Sequence, residues 1–138
     1  MLQVPEKAVA DALVADVSVN ELLGGRIAPV IQDAATPLPF INWIRRGVQR
    51  EDTLAGKTGL ATVTLDLDIY AATYLGARDL ADRCRRKLDG WGTPVQSSIS
   101  IRRVALQNES DGLVQLSGGD LPPVYVVTQT YTVLWQEP

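Results

Sequence analysis

From Thr58 to Tyr70 apolar and polar side chains take turns: Val63, Leu65, Leu67 and Ile69 fall at every second position, with Thr62, Thr64, Asp66, Asp68 and Tyr70 between them. A two-residue period puts one set on each face, so the stretch predicts a half-buried strand with a dry side and a wet side. Past Ala71 and Ala72 the period lengthens. Ala77, Leu80, Ala81, Cys84 and Leu88 stand at i, i+3, i+4, i+7 and i+11, which is one stripe on a helix. Thr73 is placed to cap that helix, and Gly90 with Pro94 to stop it. On its opposite face Asp79 with Arg83 and Asp82 with Arg86 are spaced i, i+4, each pair contributing ~0.2–0.5 kcal/mol where exposed. A strand that runs within a few residues into a helix has to bury both apolar faces in a shared core, and the rest of the chain must supply the remaining sheet.

The other segments fit that demand. Pro5 to Val17 carries Val9, Ala12, Leu13 and Val17 among Glu6, Lys7 and Asp11, a short amphipathic helix with proline in its first turn. Ser18 and Asn20 are candidate caps for a second short turn that holds Leu22 and Leu23 and stops at Gly24-Gly25. Arg26 to Ile31 reads as a short strand interrupted by Pro29, which argues for an edge position or an irregular entry into the sheet. The prolines of Gln32 to Pro39 make a loop before Phe40 to Val48, a strand apolar on both faces and therefore expected to lie centrally, with Arg45, Arg46 and Arg50 projecting beyond its buried part. Gln49 to Gly59 has almost nothing to bury and is expected to be a mobile exposed hairpin connection. Ser97 to Gln107 alternates as another strand, and Asp111-Gly112 signals a turn from it into a small hairpin over Leu113 to Leu116. After a loop from Ser117 to Pro123, Val124 to Trp135 sets Tyr125, Val127, Tyr131, Val133 and Trp135 against a threonine-rich wet side. The expectation is one α+β domain over residues 1–138, a mainly antiparallel sheet with one long helix and a short N-terminal helix packed on one face.

Composition sharpens this picture mostly by exclusion. With 46% hydrophobic and 21% charged residues the chain has the means to build a core. No apolar run nears the roughly 20 residues that span a bilayer, and the N-terminus lacks a secretory layout, so an intracellular protein without membrane contact is expected. Histidine is absent, which removes the commonest general base, the commonest zinc ligand and every Ser-His or Cys-His nucleophile. The lone Cys84 falls on the helix stripe, where a buried structural thiol outweighs a nucleophile or ligand. A net charge of −3 exerts no general pull on nucleic acid.

Within those limits the candidate chemistry is thin. Asp66 and Asp68 share the wet strand face and could bind a divalent cation, or serve a small carboxylate-based metal-dependent hydrolase, but no third ligand stands nearby and a salt-bridged face is favoured. The basic run Arg83, Arg85, Arg86 and Lys87 shares its helix with Asp79, Asp82 and Asp89, so it reads as a mixed-charge exposed face, or one that meets another subunit, ahead of a nucleic-acid contact. Arg45, Arg46 and Arg50, leading into Glu51, Asp52 and Lys57, make the cleaner basic cluster. No catalytic, cofactor or metal site is assembled from these residues.

The order of three motifs adds a resemblance. Leu22-Leu23-Gly24-Gly25-Arg26-Ile27-Ala28-Pro29, Pro37-Leu38-Pro39-Phe40-Ile41, and Leu67-Asp68-Ile69-Tyr70-Ala71-Ala72-Thr73-Tyr74 leading into Ala77 and Leu80-Ala81 together resemble the tail-completion, or tail terminator, family of long-tailed bacteriophages over Ala8 to Leu88. The resemblance implies a structural virion protein without catalysis or cofactor, assembled in the bacterial cytoplasm. It would form a homo-oligomeric ring, usually a hexamer, at the head-proximal end of the tail tube, stop tube polymerisation and give the head connector a docking surface. Tube protein, connector protein and passing DNA would be its partners. A neck or head-completion protein of the same virion is the alternative. On this reading Asp79, Asp82, Arg83 and Arg86 belong to a protomer interface, and Arg45, Arg46, Arg50, Glu51, Asp52 and Lys57 to a hairpin facing the lumen or the neighbouring ring.

Overall fold

The computed structural model of the chain describes residues 4–30, 37–54, 56–93, 99–114 and 124–137. Among these residues there are three helices, α1 (Pro5–Ala15), α2 (Val17–Leu23) and α3 (Tyr74–Leu88), and five strands, β1 (Ile27–Pro29), β2 (Phe40–Thr53), β3 (Gly56–Ala71), β4 (Ser100–Val114) and β5 (Val124–Gln136). The strands form one sheet in the order β1-β2-β3-β5-β4. The loop from residue 32 to residue 36, Pro94, the start of the fourth strand at Ser97 and the loop from Ser117 to Pro123 lie outside the described residues.

Both periodicities read from the sequence are realised. Val63, Leu65, Leu67 and Ile69 of β3 are fully buried, and the stripe Ala77, Leu80, Ala81, Cys84 and Leu88 of α3 is buried with them in the same cluster. On β5 the pattern buries Val127, Tyr131, Val133 and Trp135, while Val9 and Leu13 of α1 and Val19 and Leu23 of α2 complete the core on that face. The Thr73 hydroxyl accepts a hydrogen bond from the Gly76 amide at 3.0 Å, capping α3. Beyond Leu88 the chain turns at Gly90, whose φ of +86° suits glycine. It then lies along β4: Gly90 donates to the Val104 carbonyl at 2.7 Å, Val104 to that of Trp91 at 2.8 Å, and Thr93 to that of Ile101 at 2.9 Å. This backbone covers part of the outer edge of β4, an edge that would otherwise template association.

Several expectations are corrected. The sheet is mixed, because β1 pairs with β2 in parallel, Ile27 opposite Ile41. The other three pairings, β2 with β3, β3 with β5 and β4 with β5, are antiparallel, as expected of a mainly antiparallel sheet. In place of one long and one short helix there are three, of 11, 7 and 15 residues. The first break falls at Asp16, whose carboxylate accepts from the Val19 amide at 3.0 Å and so caps α2 in place of Ser18 or Asn20. Val17, read as part of the first apolar stripe, is 84% exposed. Asn20 serves the other end of α2, its side chain accepting from the Gly25 amide at 2.8 Å.

β2 is the second strand from the edge and reaches Thr53, so it is neither central nor confined to Phe40–Val48. Gln49 to Gly59 is a hydrogen-bonded continuation of the β2–β3 ladder, with Gln49 opposite Thr62, Arg50 opposite Ala61 and Thr53 opposite Gly56. β5 pairs with β3 only from Leu60 onward. Residues 51–54 and 56–59 therefore project as the two strands of an arm. The turn expected at Asp111-Gly112 is absent, since β4 runs unbroken through it with Asp111 opposite Val127 and Gly112 opposite Val126. A Cβ on Gly112 would lie 3.0 Å from Val126 Cγ1, so the glycine serves close strand packing.

Candidate functional site

The three arginines read as one basic cluster are separated by the strand that carries them. Adjacent residues of a strand point to opposite faces, so Arg45, opposite the buried Leu65, and Arg46 part company, with a register shift in β2 between Arg45 and Gly47. Arg45 lies on the helix side, where its Nη2 reaches both carboxylate oxygens of Glu6 in α1 at 2.9 Å. The Glu6 side chain is 7% exposed and that of Arg45 37%, so this pair ties α1 to the sheet across a nearly dry contact. Arg46 lies on the uncovered face, its Nε donating to Asp66 at 2.7 Å. That hydrogen bond, reinforced by the carboxylate's charge, holds the guanidinium above its ordinary pKa. Arg50 is near the base of the arm, where its Nε donates to Glu137 at 2.7 Å, with the same upward effect. Each is therefore paired with a carboxylate, and Arg45 and Arg46 sit within the sheet and not at a strand end.

Glu51 and Asp52 are exposed on the arm, and Lys57 is opposite Asp52 in the ladder. Arg50, Glu51 and Asp52 line an open groove of about 410 Å³ with Thr58, Gly59, Leu60 and Glu137. The last described residues zip onto the arm there, since the Glu137 amide donates to the Gly59 carbonyl at 2.7 Å and the Gln136 side chain to that of Thr58 at 3.2 Å.

The helix face is the second set, and here the structure does assemble the residues read from the sequence. Arg83 Nε donates to Asp79 at 3.1 Å, and Arg86 Nε lies 2.9 Å from Asp82. Two partners had no signal in the spacing. Arg83 Nη1 also donates to the Ser18 carbonyl at 2.8 Å and to Glu21 at 3.2 Å, which fastens α3 to α2. Arg85 donates to Asp82 at 2.7 Å, and this bond, ahead of the charges of Arg86 and Arg85 themselves, holds the Asp82 carboxyl below its usual range. Asp16, Ser18, Glu21, Asp79, Asp82, Arg83, Arg86 and Lys87 together wall a charged groove of about 570 Å³ between the two helices.

Asp66 and Asp68 are occupied by neighbours. Asp66 accepts from Arg46 and from the Thr130 hydroxyl at 2.7 Å, and Asp68 from the Thr128 hydroxyl at 2.7 Å. Among the described residues no group of three or more acidic, cysteine or histidine side chains is placed to hold a metal ion. Cys84 is buried, and burial pushes its thiol up to about 12. A polar chain that the sequence did not single out crosses under α3: Gln129, fully buried, donates to the Ala81 carbonyl at 2.8 Å and to Glu109 at 2.6 Å, and accepts from the Tyr131 hydroxyl at 2.8 Å. Glu109 in turn receives Arg78. Every member has a partner, so the chain acts as a specific core contact. Among the described residues no helix is long and apolar enough to cross a membrane.

Comparison with known proteins gives these surfaces a setting. No curated protein matches the chain. Among solved structures, a protein in the virion of a native gene transfer agent particle is similar in fold, with a TM-score of 0.65 at 16% identity over 93% of this chain and 91% of that one. The family described as tail completion protein gp17 matches residues 7–121, a span that runs from α1 past the end of β4 and stops before β5. The chain belongs to the gp17 tail completion family, and is thereby a structural protein of a phage-type virion.

Proposed function

We propose that this chain acts as a tail terminator: a single-domain protomer that closes with its copies into a ring, of six in the form the family resemblance implies, at the head-proximal end of the tail tube. The ring stops tube polymerisation and offers the head connector a docking surface. The observation that carries the reading is the family match over residues 7–121. A cyclic ring requires heterologous contacts, in which one surface of a protomer fits a different surface of the next. Two dissimilar charged surfaces support this. One is the groove between α2 and α3 with Asp79, Asp82, Arg83 and Arg86, and the other the arm with Arg50, Glu51, Asp52 and Lys57.

DNA leaving the head would pass the lumen. Because Arg45, Arg46 and Arg50 are each paired with a carboxylate, the phosphate attraction they exert is weaker than that of three free guanidiniums. The tube, the connector and other copies of this chain are the partners of the proposal. The test is to add the purified protein to polymerising tube protein and measure tube lengths by electron microscopy. Tubes that stop short, with added density at one end, are the expected result. Lengths unchanged at a molar excess would refute termination, and binding to isolated connector with no effect on tubes would favour the neck protein instead.

A further inference from the structure

The arm ends in an anomaly. Within the polar stretch Gln49 to Gly59, Leu54 stands at the tip of the hairpin and is fully exposed, its relative accessibility reaching 111%. A two-stranded ribbon that leaves its sheet is marginal in water on its own, and a leucine at its end adds nothing to the fold. At the other end of β3 there is an apolar depression of about 230 Å³, bordered by Leu22, Leu38, Pro39, Ala71, Ala72 and Gly76, with Asp79 at one side. For scale, an apolar cavity of about 150 Å³ admits benzene, so a leucine side chain fits.

We infer that the arm of one copy docks its Leu54 into this depression on the next copy, making the head-to-tail contact of the ring. The inference rests on the ring reading and names its surfaces. The same chain cannot make the contact with itself, because arm tip and depression lie at opposite ends of a 16-residue strand, roughly 50 Å apart at about 3.3 Å per residue. Charge points to the same occupant. Glu51 and Asp52 stand exposed beside the tip, two acids with one lysine, Lys57, opposite Asp52 in the ladder. At the depression, the guanidinium of Arg26 is held by carbonyls only, donating to Pro39 at 2.9 Å and Leu22 at 3.3 Å, and no described carboxylate neutralises it. The N-terminus of α3 opens beside it with no acidic residue in its first turn, so its partial positive charge is also unopposed. Asp79, the acidic member of the rim, is already engaged by Arg83. Leu75 on that first turn is 77% exposed.

The experiment measures the native mass of wild type, Leu54→Asp, Leu54→Met and Ala72→Arg, with circular dichroism to verify the fold of each. Wild type and Leu54→Met should share one closed oligomeric mass, and Leu54→Asp and Ala72→Arg should drop to the monomer while staying folded. Leu54→Cys combined with Ala72→Cys should form an inter-copy disulfide ladder under mild oxidation, since Cys84 is buried and silent. An oligomeric wild type whose mass survives both Leu54→Asp and Ala72→Arg, with no ladder from the cysteine pair, overturns the docking and leaves the ring. A wild type that is monomeric with and without tube ends overturns the ring reading and the docking together.

Discussion

Arg45→Ala is the substitution whose consequence can be worked most directly from the structure. It leaves Glu6, with 7% of its side chain exposed, in a nearly dry site without its cation. Removing one partner of a fully buried pair costs about 3–5 kcal/mol. The Arg45 side chain is 37% exposed, so water reaches one side of the contact, and the cost falls to about 2–3 kcal/mol once that access is allowed for. In urea, with a slope near 2 kcal/mol per molar, the unfolding midpoint should fall by about 1 M. Glu6→Gln removes the charge that needs a partner. In that background Arg45→Ala should cost less than about 1 kcal/mol, leaving a coupling energy of about 1.5 kcal/mol in the double-mutant cycle. An equal midpoint shift in both backgrounds would refute the reasoning and assign the effect of Arg45 to the packing of its aliphatic stem.

Other substitutions probe the remaining parts of the fold. Leu80→Ala opens a cavity beneath α3 in a fully buried site and should lower stability by about 2–5 kcal/mol, as read from the chemical denaturation midpoint. Thr73→Ala removes the α3 cap, at a cost of about 1 kcal/mol, checked the same way and by faster amide exchange at Gly76. Cys84 should resist thiol reagents at pH 8 until the protein is unfolded. Burial raises its folded pKa from 9.0 to about 12, so the unfolded thiol loses its proton first, and its contribution to stability should be intact below pH 9 and decline between pH 9 and 12. A midpoint that rose over that window in wild type relative to Cys84→Ala would contradict it.

What the sequence made legible was whatever depends on neighbours in the chain. The alternation Val63 to Ile69 and the stripe Ala77 to Leu88 are local periods, and they specified the core face of β3 and α3 residue by residue. The same holds for Asp79 with Arg83 and Asp82 with Arg86, whose spacing alone brings them together. The failures arise where a distant partner decides. Asp111-Gly112 has turn chemistry, yet thirteen residue pairs of β4 with β5 draw it into a strand. Arg45 and Arg46 are adjacent in sequence, and the strand period alone sends them to opposite faces, but the carboxylate that meets each, Glu6 or Asp66, is set by elements far along the chain. Parallel pairing of β1 with β2 has no local signature at all. Leu54 carried a signal that could have been used, a single large apolar residue inside a polar hairpin, and its meaning emerges only when the depression at the far end of the sheet is known.

A protein that terminates the tube sets tail length, and tail length is therefore the quantity to measure. Particles from a phage deleted for this gene should be measured by electron microscopy beside a strain complemented in trans. Without the terminator the tubes should overgrow with a broad length distribution and stay unjoined to heads, and the complementing gene should restore uniform length and head joining. Tails of normal, uniform length joined to full heads in the deletion strain would contradict termination.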